Sequence, residues 1–421
     1  MKKIILSFLI ILPFMISAQN LNGRITSSFY SFQRYDNLQK SDAYLRNTEA
    51  LNFNFNYDKF SLRTRVNFES NIGVPLDSDP RLRFYNLYLE ARDLFDMVTI
   101  KLGRQPLFAP VSGGLFDGIN VKVKYDKYAL TGFFGGNLPA YQKLEFLKDL
   151  GDNNVLGARF DANPVDHLNL AVSFYDKNYK PMDYDALRLD ENLDPITLLI
   201  QQNSNQFKFL SGEAAYELPG LLDITTAYEY DLNYNETSKI EATGKYWATE
   251  DIGITGYFNW REPKIRYNSI FSVFDFGHTE EYEGGLDYKY NSDLTFFGKY
   301  GYVKYEEENS SRLTLGAYTG IGSISFRKSF GYAGELDNIS LYLAKSYRDG
   351  LVTPSVGISY TSYKLTKDSE TNNITSVLAG VNLRPWKTWS FDFQTQFSNN
   401  EIYRDDFRFL FKINYWFTTK F

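Results

Sequence analysis

The chain has 421 residues and a formal net charge of −6, with 17% aromatic and 23% charged residues. This mixture excludes intrinsic disorder, a collagen-like chain and a bundle of membrane-spanning helices. The absence of cysteine excludes a disulfide framework and thiolate metal sites, and the acidic balance argues against nucleic acid as a partner.

The first eighteen residues have the pattern of a secretory signal peptide. Lys2 and Lys3 form a positively charged start, residues 4–16 are mostly apolar, and Ala18 is a small residue at the expected cleavage point. The apolar stretch is shorter than the roughly 20 residues that a membrane-spanning helix needs. We therefore expect residues 1–18 to be cleaved on export, with an uncleaved anchor as the alternative.

After this leader the sequence alternates between apolar and polar residues almost to its end. In residues 60–69, Phe, Leu, Thr, Val and Phe alternate with Ser, Arg, Arg, Asn and Glu. Residues 391–398 and 407–417 show the same period of two. Such alternation is typical of antiparallel strands that are apolar on one face and hydrated on the other.

Short and long connections alternate between these predicted strands. The tight connectors include Asp58-Lys59, Asp126-Lys127, Asn291-Ser292 and Pro385-Trp386-Lys387. The longer polar ones include Gln33–Arg46, Asn71–Arg81, Gly136–Asn153, Asn178–Gln206 and Arg261–Thr279. A soluble sandwich has no reason to keep that order, whereas membrane barrels combine tight periplasmic turns with longer extracellular loops.

The predicted fold is therefore all-β: a single transmembrane antiparallel β-barrel spanning residues 19–421 in the outer membrane of a Gram-negative bacterium. We expect an even number of strands, about 18–22, with the pairs around Thr314–Phe330 the weakest. Because the first strand starts near Leu21, no N-terminal plug domain is expected.

Aromatic residues next to the predicted turns support the barrel, because their rings favour the membrane interface. They are Tyr57, Tyr125, Tyr128, Trp260, Trp386, Trp389, Tyr415 and Trp416. The alternative is that aromatic residues simply have high β propensity. The last predicted strand, which ends at Phe421, also resembles the aromatic-terminated last strand of Gram-negative outer-membrane barrels.

Strand parity predicts which charged side chains point into the lumen in the first third of the chain. The expected cations are Arg63, Arg65, Lys101, Lys122, Lys124 and Arg159, opposed by Glu69, Glu90 and Asp161. An excess of positive charge in a low-dielectric wall biases a pore toward anions. The alternative is that these groups pair across neighbouring strands and merely stiffen the wall.

Acidic residues concentrate instead in predicted loops. They are Asp183, Asp185, Asp190, Glu191 and Asp194; Glu280, Glu281 and Glu283; and Glu306, Glu307 and Glu308. We expect them to form solvated surface. Calcium or magnesium bridging to anionic glycolipid is the alternative.

A local pattern within Arg81–Tyr125 resembles outer-membrane porins of the alginate-export type. Leu102-Gly103-Arg104-Gln105 ends a predicted strand, a loop rich in Gly and Pro follows, and Phe116-Asp117-Gly118 opens the next strand. The resemblance implies a single-chain pore lined by arginine and lysine that passes an acidic polysaccharide or another anion. It also implies that Arg104 is a lumenal or rim residue.

Two connections are candidates for narrowing or closing the pore. Gln105–Leu115 contains two prolines and two glycines, and an ordinary surface loop is the alternative. Tyr141–Leu150 has apolar residues at helical spacing, which predicts a short amphipathic helix at the mouth or at a partner, with packing onto its own barrel as the alternative.

Catalysis is not expected. His167 and His278 are the two histidines, neither has a serine placed beside it by a defensible strand spacing, and no catalytic or phosphate-binding motif occurs. Neither a metal nor a cofactor is indicated. The favoured function is a porin-like channel for small or anionic solutes, with acidic saccharides as one such class and membrane lipid as its surroundings.

A non-conducting structural or adhesive barrel is the second alternative. In it, extracellular loops such as Asn178–Gln206 would contact a protein partner. A membrane-embedded hydrolase is a remote third.

Overall fold

The computed structural model shows one closed barrel of 22 antiparallel strands. The structure describes residues 20–36, 39–73, 80–107, 113–138, 149–189, 191–274, 276–306, 308–331, 336–364, 368–400 and 405–420. The expected all-β fold with an even strand number is confirmed. No plug domain occurs within these ranges, which begin in the first strand of the barrel.

The first half of the chain contributes β1 to β12, of which β10 and β11 lie outside the barrel. Their bounds are β1 Asn20–Asp36, β2 Gln39–Tyr57, β3 Phe60–Ile72, β4 Arg81–Leu94, β5 Val98–Leu107, β6 Gly114–Tyr125, β7 Tyr128–Asn137, β8 Asn154–Ala162, β9 Leu168–Asn178, β10 Tyr184–Leu189, β11 Pro195–Ile200 and β12 Asn205–Leu218.

The second half contributes β13 to β24 and one 3-10 helix, η1. Their bounds are β13 Leu222–Asp231, β14 Glu236–Trp247, β15 Ile252–Arg261, η1 Ile270–Val273, β16 Thr279–Lys289, β17 Leu294–Lys304, β18 Asn309–Thr319, β19 Gly322–Gly331, β20 Leu336–Ala344, β21 Val352–Tyr363, β22 Asn372–Trp386, β23 Trp389–Asn399 and β24 Asp406–Lys420. Within the described residues, no helix has the length and hydropathy needed to cross a membrane.

The ring closes because its first and last strands pair with each other. β1 pairs with both β2 and β24, with Asn20 opposite Lys420 at one end of the seam. β9 pairs directly with β12, so the β10–β11 hairpin stands apart as a sheet of its own. A closed antiparallel ring pairs every strand on both sides, which is the requirement for crossing a bilayer with strands.

Tight turns lie at one rim of the barrel. Asp58 and Asp126 have φ of 48° and 50°, the left-handed conformation that two-residue hairpin turns require and that aspartate tolerates well. The predicted turns at Asp58-Lys59 and Asp126-Lys127 are confirmed, while β22 runs as far as Trp386. The seam ends of β1 and β24 lie at this rim. In outer-membrane barrels the tight turns face the periplasm.

One expectation for the connections was wrong. Gln33–Arg46 is not a long loop, because β1 and β2 stay paired as far as Asp36 and Gln39. Beyond the apolar band both faces of a hairpin are wet, so its sequence no longer alternates. The long connection expected after β9 is present and contains the β10–β11 hairpin, and the pair near Thr314–Phe330, expected to be the weakest, forms the regular strands β18 and β19.

The two segments proposed to narrow the pore fall largely outside the described residues. β5 extends to Leu107 and β6 begins at Gly114, so residues 108–112 are the part of that connection that is not described. Of Tyr141–Leu150, the structure describes Asp149 and Leu150.

A compact apolar cluster lies at the loop ends of β5 to β9. It consists of Leu107, Phe116, Val155 and Tyr175, with Phe133 and Phe207 packed against it. Among the described residues, this is where buried apolar side chains of the wall cluster together.

Candidate functional site

The two faces of the sheet differ in chemistry strand after strand. Leu62, Leu89, Leu102 and Ile119 are successive cross-strand neighbours, and Leu89 and Leu102 are 59% and 58% exposed. Their neighbours on the opposite face include the equivalent row Ser61, Glu90, Lys101 and Asn120. In a membrane barrel the apolar face contacts lipid and the polar face encloses the lumen.

Glu90 is the centre of a cation cluster on the polar face. Its carboxylate lies 2.8 Å from Arg63 Nε, 3.7 Å from Lys101 Nζ and 3.9 Å from Arg92 Nε. The Glu90 side chain is 8% exposed, so water screens these contacts only weakly. One carboxylate thus balances three cations, which leaves this part of the wall positive.

Further cations on this side lack a carboxylate partner among the described residues. Arg65 lies over the Tyr85 ring, with 5.2 Å from guanidinium carbon to ring centroid, and Lys122 and Lys124 are exposed side chains of β6. Register places Lys122 opposite Thr99 and Lys124 next to the tight turn at Asp126. Lys122 and Lys124 therefore lie toward the rim that carries the tight turns, whereas Arg65 lies near the middle of β3.

Several cations of this region, Arg24 among them, were missed by the sequence reasoning. Arg24 lies on β1 opposite Asn52 and Trp416, in a row that shares a face with Arg65. The alternation of β1, in which Asn22, Arg24 and Thr26 are interleaved with apolar or small residues, was the signal that could have revealed it. We call the polar face of β1 to β6, with Arg24, Arg63, Arg65, Lys101, Lys122 and Lys124, the basic arc.

Arg83 and Glu69 form a looser contact on the same arc. Arg83 Nε lies 3.7 Å from Glu69 Oε2, on neighbouring strands β4 and β3. The predicted acidic residue Glu69 thus offsets Arg83, a cation that the sequence reasoning did not include.

Arg159 is neutralised rather than free. Its Nη1 and Nη2 donate to Glu213 at 3.1 and 2.9 Å, and its Nε donates to Asp161 at 2.8 Å. Two carboxylates for one guanidinium give this part of the wall a net negative charge. Arg159 therefore belongs to a cross-strand network of the kind that stiffens a wall.

Arg104 is almost inaccessible, with a side chain that is 2% exposed. Its Nε and Nη2 donate to the two oxygens of Asp117, both at 2.8 Å, and Gln105 Nε2 donates to the carbonyl of Gly118. The two halves of the alginate-export-like pattern are thus bonded to each other across β5 and β6. This pattern holds two strands together, and its arginine presents no free charge to a solute.

The backbone conformation at position 103 explains why a glycine precedes Arg104. Its φ is 124°, a conformation that side-chain-bearing residues rarely adopt, and a Cβ there would collide with the carbonyl of Leu87. Lys101 and Arg104 are three positions apart in sequence, and an odd offset places side chains on opposite faces of a regular strand. Arg104 and Lys101 therefore have different surroundings.

The connection between β15 and β16 crosses the polar face near the loop rim, and we call residues 262–268 the strap. Lys264 Nζ lies 2.5 Å from Glu229 Oε2 on β13, where Glu229 is 2% exposed, and 5.8 Å from the centre of the Phe209 ring on β12. The Tyr267 amide donates to the carbonyl of Gln206 at 3.0 Å. The strap therefore reaches back over three neighbouring strands.

Asn268 ties the end of the strap to a second connection. Its Nδ2 donates to the carbonyl of Tyr179 at 2.9 Å and to that of Asn203 at 2.7 Å. These two residues flank the segment that contains the β10–β11 hairpin. Tyr234 packs edge-on against Tyr267, and burial, together with the charge of Asp231, raises the pKa of the Tyr234 hydroxyl. The sequence reasoning missed the strap because these residues show no periodic pattern.

Three acidic residues predicted for loops lie in β16 instead. Glu280 contacts Lys304 at 3.0 Å, and Glu281 and Glu283 contact Arg312 at 3.1 and 2.7 Å. Ion pairs with cations on β17 and β18 stabilise these acidic residues within a strand. The sequence alone did not reveal that pairing. Asp183, Asp185, Glu191 and Asp194 lie on or beside the exposed hairpin, Glu306 and Glu308 lie between β17 and β18, and Asp190 and Glu307 fall outside the described residues.

The two histidines lie far apart in the strand order. His167, with a φ of 67°, occupies the tight turn between β8 and β9. The His278 ring packs at a tilt against Trp260, with 5.2 Å between ring centroids. One of its ring nitrogens lies 3.8 Å from Glu262 and the other 3.3 Å from Glu280. Within the described residues, no group of three or more His, Asp or Glu side chains is arranged to hold a metal ion.

Comparison with known proteins gave no family profile and no curated sequence that matches the chain. Among solved structures, Pseudomonas aeruginosa OpdK with vanillate is 11% identical with a TM-score of 0.45, and the match covers 95% of this chain and 98% of that one. The P pilus usher (PapC) translocation pore is 9% identical with a TM-score of 0.47, covering 95% and 99%. Acinetobacter baumannii OccAB1 is 8% identical with a TM-score of 0.45, covering 95% and 96%.

Proposed function

We propose that this protein is an outer-membrane channel that passes small or anionic solutes through a water-filled lumen. The observation that carries the proposal is the basic arc, where Arg65, Lys122 and Lys124 lack a carboxylate partner among the described residues. Unpaired cations on a low-dielectric wall concentrate anions in the lumen and lower the barrier to their passage.

The closed ring supports the water-filled lumen. A barrel of about 22 strands is too wide for its own side chains to fill. The strap crosses part of the polar face near the loop end. Within the described residues no separate domain enters the barrel, so this face can be hydrated.

Acidic saccharides are one solute class that this chemistry suits, because carboxylates along a chain can pass from one cation of the arc to the next. The alginate-export-like pattern gives little support to this proposal, although it contains an arginine. Arg104 is bonded to Asp117 and buried, so the basic arc rests on the other cations. We propose that Arg63, Arg65, Lys101, Lys122 and Lys124 line the pore, with Glu69 and Glu90 setting their local charge balance.

Insertion of the purified protein into a planar lipid bilayer tests the proposal. Stable ionic steps are expected, with a size that grows in proportion to salt concentration, and the same detergent without protein is the control. A bilayer that stays silent after the folded barrel has been shown to insert would contradict the channel.

The leader is part of the same proposal, since a barrel reaches the outer membrane only after export. We propose cleavage after Ala18 and assembly in the outer membrane. Mass spectrometry of the protein from isolated outer membranes should find Gln19 at the N-terminus. A chain that begins at Met1 would mean that the segment is retained.

A second candidate function rests on the β10–β11 hairpin, which pairs with no other strand of the described chain. Leu187, Leu189 and Leu199 share one face of this hairpin and are 70%, 62% and 60% exposed. An exposed two-stranded sheet with open edges suits adhesion to a protein partner.

Because the chain has no cysteine, a single Leu193→Cys substitution at the hairpin permits specific crosslinking in intact cells. Recovery of one defined protein adduct, with none from Ile321→Cys on the opposite rim, would favour adhesion. Equal labelling of both positions would count against it.

A further inference from the structure

A cavity of ≈ 530 Å³ lies where the strap meets the polar face of β14 and β15. Glu262, Pro263 and Lys264 of the strap form one side, and the strands form the other with Lys239, Glu241, Tyr257, Asn259, Arg261 and Thr279. This volume falls within the range of about 300–1,000 Å³ that is typical of small-molecule pockets. Nothing in the channel proposal requires such a recess.

Asn259 is the residue that points to a ligand. It is 3% exposed, and its Oδ1 has no hydrogen-bond partner among the described residues. Leaving a buried polar group unpaired costs about 1–3 kcal/mol, so such groups in native proteins call for an explanation. Asn259 lines the cavity beside Tyr257, to which its side chain is hydrogen-bonded, and its soft terminal torsion allows the oxygen to meet a donor on a solute there.

Arg261 supplies complementary donors on the same strand. Its Nε donates weakly to Thr279 Oγ1 at 3.4 Å, and no carboxylate lies within ion-pair distance of its guanidinium among the described residues. Lys239 and Glu241, 3.0 Å apart, place a further donor and acceptor on the neighbouring strand. The cavity thus offers several donors and acceptors at fixed positions.

The mixture of charges excludes several ligand classes. Lys239, Arg261 and Lys264 repel a metal cation, while Glu241 and Glu262 repel a phosphate dianion. Pro263 and Tyr257 provide too little apolar surface for a hydrocarbon. What remains is a small solute with several groups that both donate and accept hydrogen bonds.

We propose that this cavity is a binding site for polyhydroxylated solutes, recognised through adjacent hydroxyl groups. One hydroxyl donates to Asn259 Oδ1, a neighbour accepts from Arg261, and the ring of Tyr257 packs against carbon-bound hydrogens of the solute. The shared chemistry is the vicinal diol, which neutral sugars and sugar acids both carry. The proposal rests on the channel function, because it places the site on the path through the lumen.

Saturation-transfer NMR of the intact barrel in detergent micelles tests this proposal without requiring conduction. The probes are D-glucose, D-glucuronate and acetate, the last being a carboxylate without hydroxyls. Saturable transfer to both sugars and none to acetate is expected. Transfer to glucuronate and acetate alone would overturn the proposal, because it would mean that only the carboxylate is recognised.

Two substitutions locate the site. Asn259→Ala should raise the sugar dissociation constant about threefold to tenfold, the effect of one lost hydrogen bond, and Arg261→Gln about tenfold. Arg327→Gln on β19 is the matched control, a lumenal arginine outside the cavity, and should leave the constant unchanged. Equal affinity in all three variants would overturn the placement.

The outcome for this site is separate from that for the channel. A barrel that conducts but binds neither sugar would refute the cavity and leave the channel standing. A barrel that binds both sugars yet never conducts would refute the channel and leave a binding site.

Discussion

The polar face of β13 to β18 carries acidic side chains that have cationic partners, whereas the basic arc of β1 to β6 carries cations in excess of its carboxylates. Glu229 pairs with Lys264, Glu283 with Arg312, and Asp287 with Lys245. On the basic arc a single carboxylate, Glu90, serves three cations.

The comparison shows that residue counts do not reveal the charge that a solute meets. A paired wall is close to neutral at the distance of a passing ion and mainly stabilises the barrel. An unpaired wall keeps its field in the lumen. If this distinction is correct, substitutions on the two sides should affect different properties: stability on one, selectivity on the other.

The largest expected effect comes from breaking the strap at Lys264. Lys264→Met leaves the buried carboxylate of Glu229 without its cation, which should lower the free energy of unfolding by about 3 kcal/mol. Release of the strap should also raise single-channel conductance. Urea unfolding in detergent and bilayer recordings measure the two effects.

The double variant Lys264→Met/Glu229→Gln is the control for this prediction. It also removes the uncompensated charge of Glu229, so most of the lost free energy of unfolding should be recovered while the conductance stays high. If conductance stays at the wild-type value in both variants, the strap does not narrow the pore.

The next largest effect is expected at Arg104. Its substitution tests whether this arginine stabilises the barrel or lines the pore. Arg104→Met leaves Asp117 without its two-pronged partner and should lower the free energy of unfolding by about 2 kcal/mol. Ion selectivity should hardly change, because the pair is neutral and buried. Arg104→Lys, which keeps the charge but not the fork, should cost about 1 kcal/mol. A large loss of anion preference in either variant would place Arg104 in the pore.

Neutralising the three cations that lack a carboxylate partner among the described residues tests the basic arc itself. The triple variant Arg65→Gln/Lys122→Gln/Lys124→Gln should lower the anion-to-cation permeability ratio about threefold to tenfold, or about 0.7–1.4 kcal/mol. Stability should remain near that of the wild type, since none of the three has an ion pair to lose among the described residues. Reversal potentials in a salt gradient provide the readout, and an unchanged ratio would assign the selectivity elsewhere.

The smallest effect is expected on the paired wall. Lys245 and Asp287 lie 2.8 Å apart across β14 and β16, and the variant Lys245→Met/Asp287→Asn removes both charges together. The permeability ratio should change less than twofold, because the pair is neutral as a unit. A shift as large as that of the triple variant would show that pairing does not cancel the field.

Much of the fold was predictable because a membrane barrel repeats one rule along the whole chain. Alternation over Phe60–Glu69 and the turns at Asp58 and Asp126 depend on neighbours in sequence, and the structure has them as expected. The polar hairpin end near Asp36 was mispredicted, since beyond the apolar band no burial difference marks the strand.

The wall charges were less predictable, because pairing depends on register between strands. Parity brings Arg63 and Lys101 to one face, but it does not reveal that both contact Glu90, or that Arg159 is shared by Glu213 and Asp161. The strap could not be predicted from the sequence, because its position depends on the contact of Lys264 with Glu229, a carboxylate on β13. A local motif was also misleading, since Arg104 serves strand packing.

The reversal potential of the wild-type channel in a salt gradient is the most direct test of the central claim, that uncompensated cations on the basic arc govern what passes. With potassium chloride more concentrated on one side, the account predicts a potential of the sign that marks chloride as the more permeant ion. The preference for chloride should decrease at higher salt concentration, because salt screens the charges of the basic arc. Steady ionic steps with a potassium-selective potential would contradict the account.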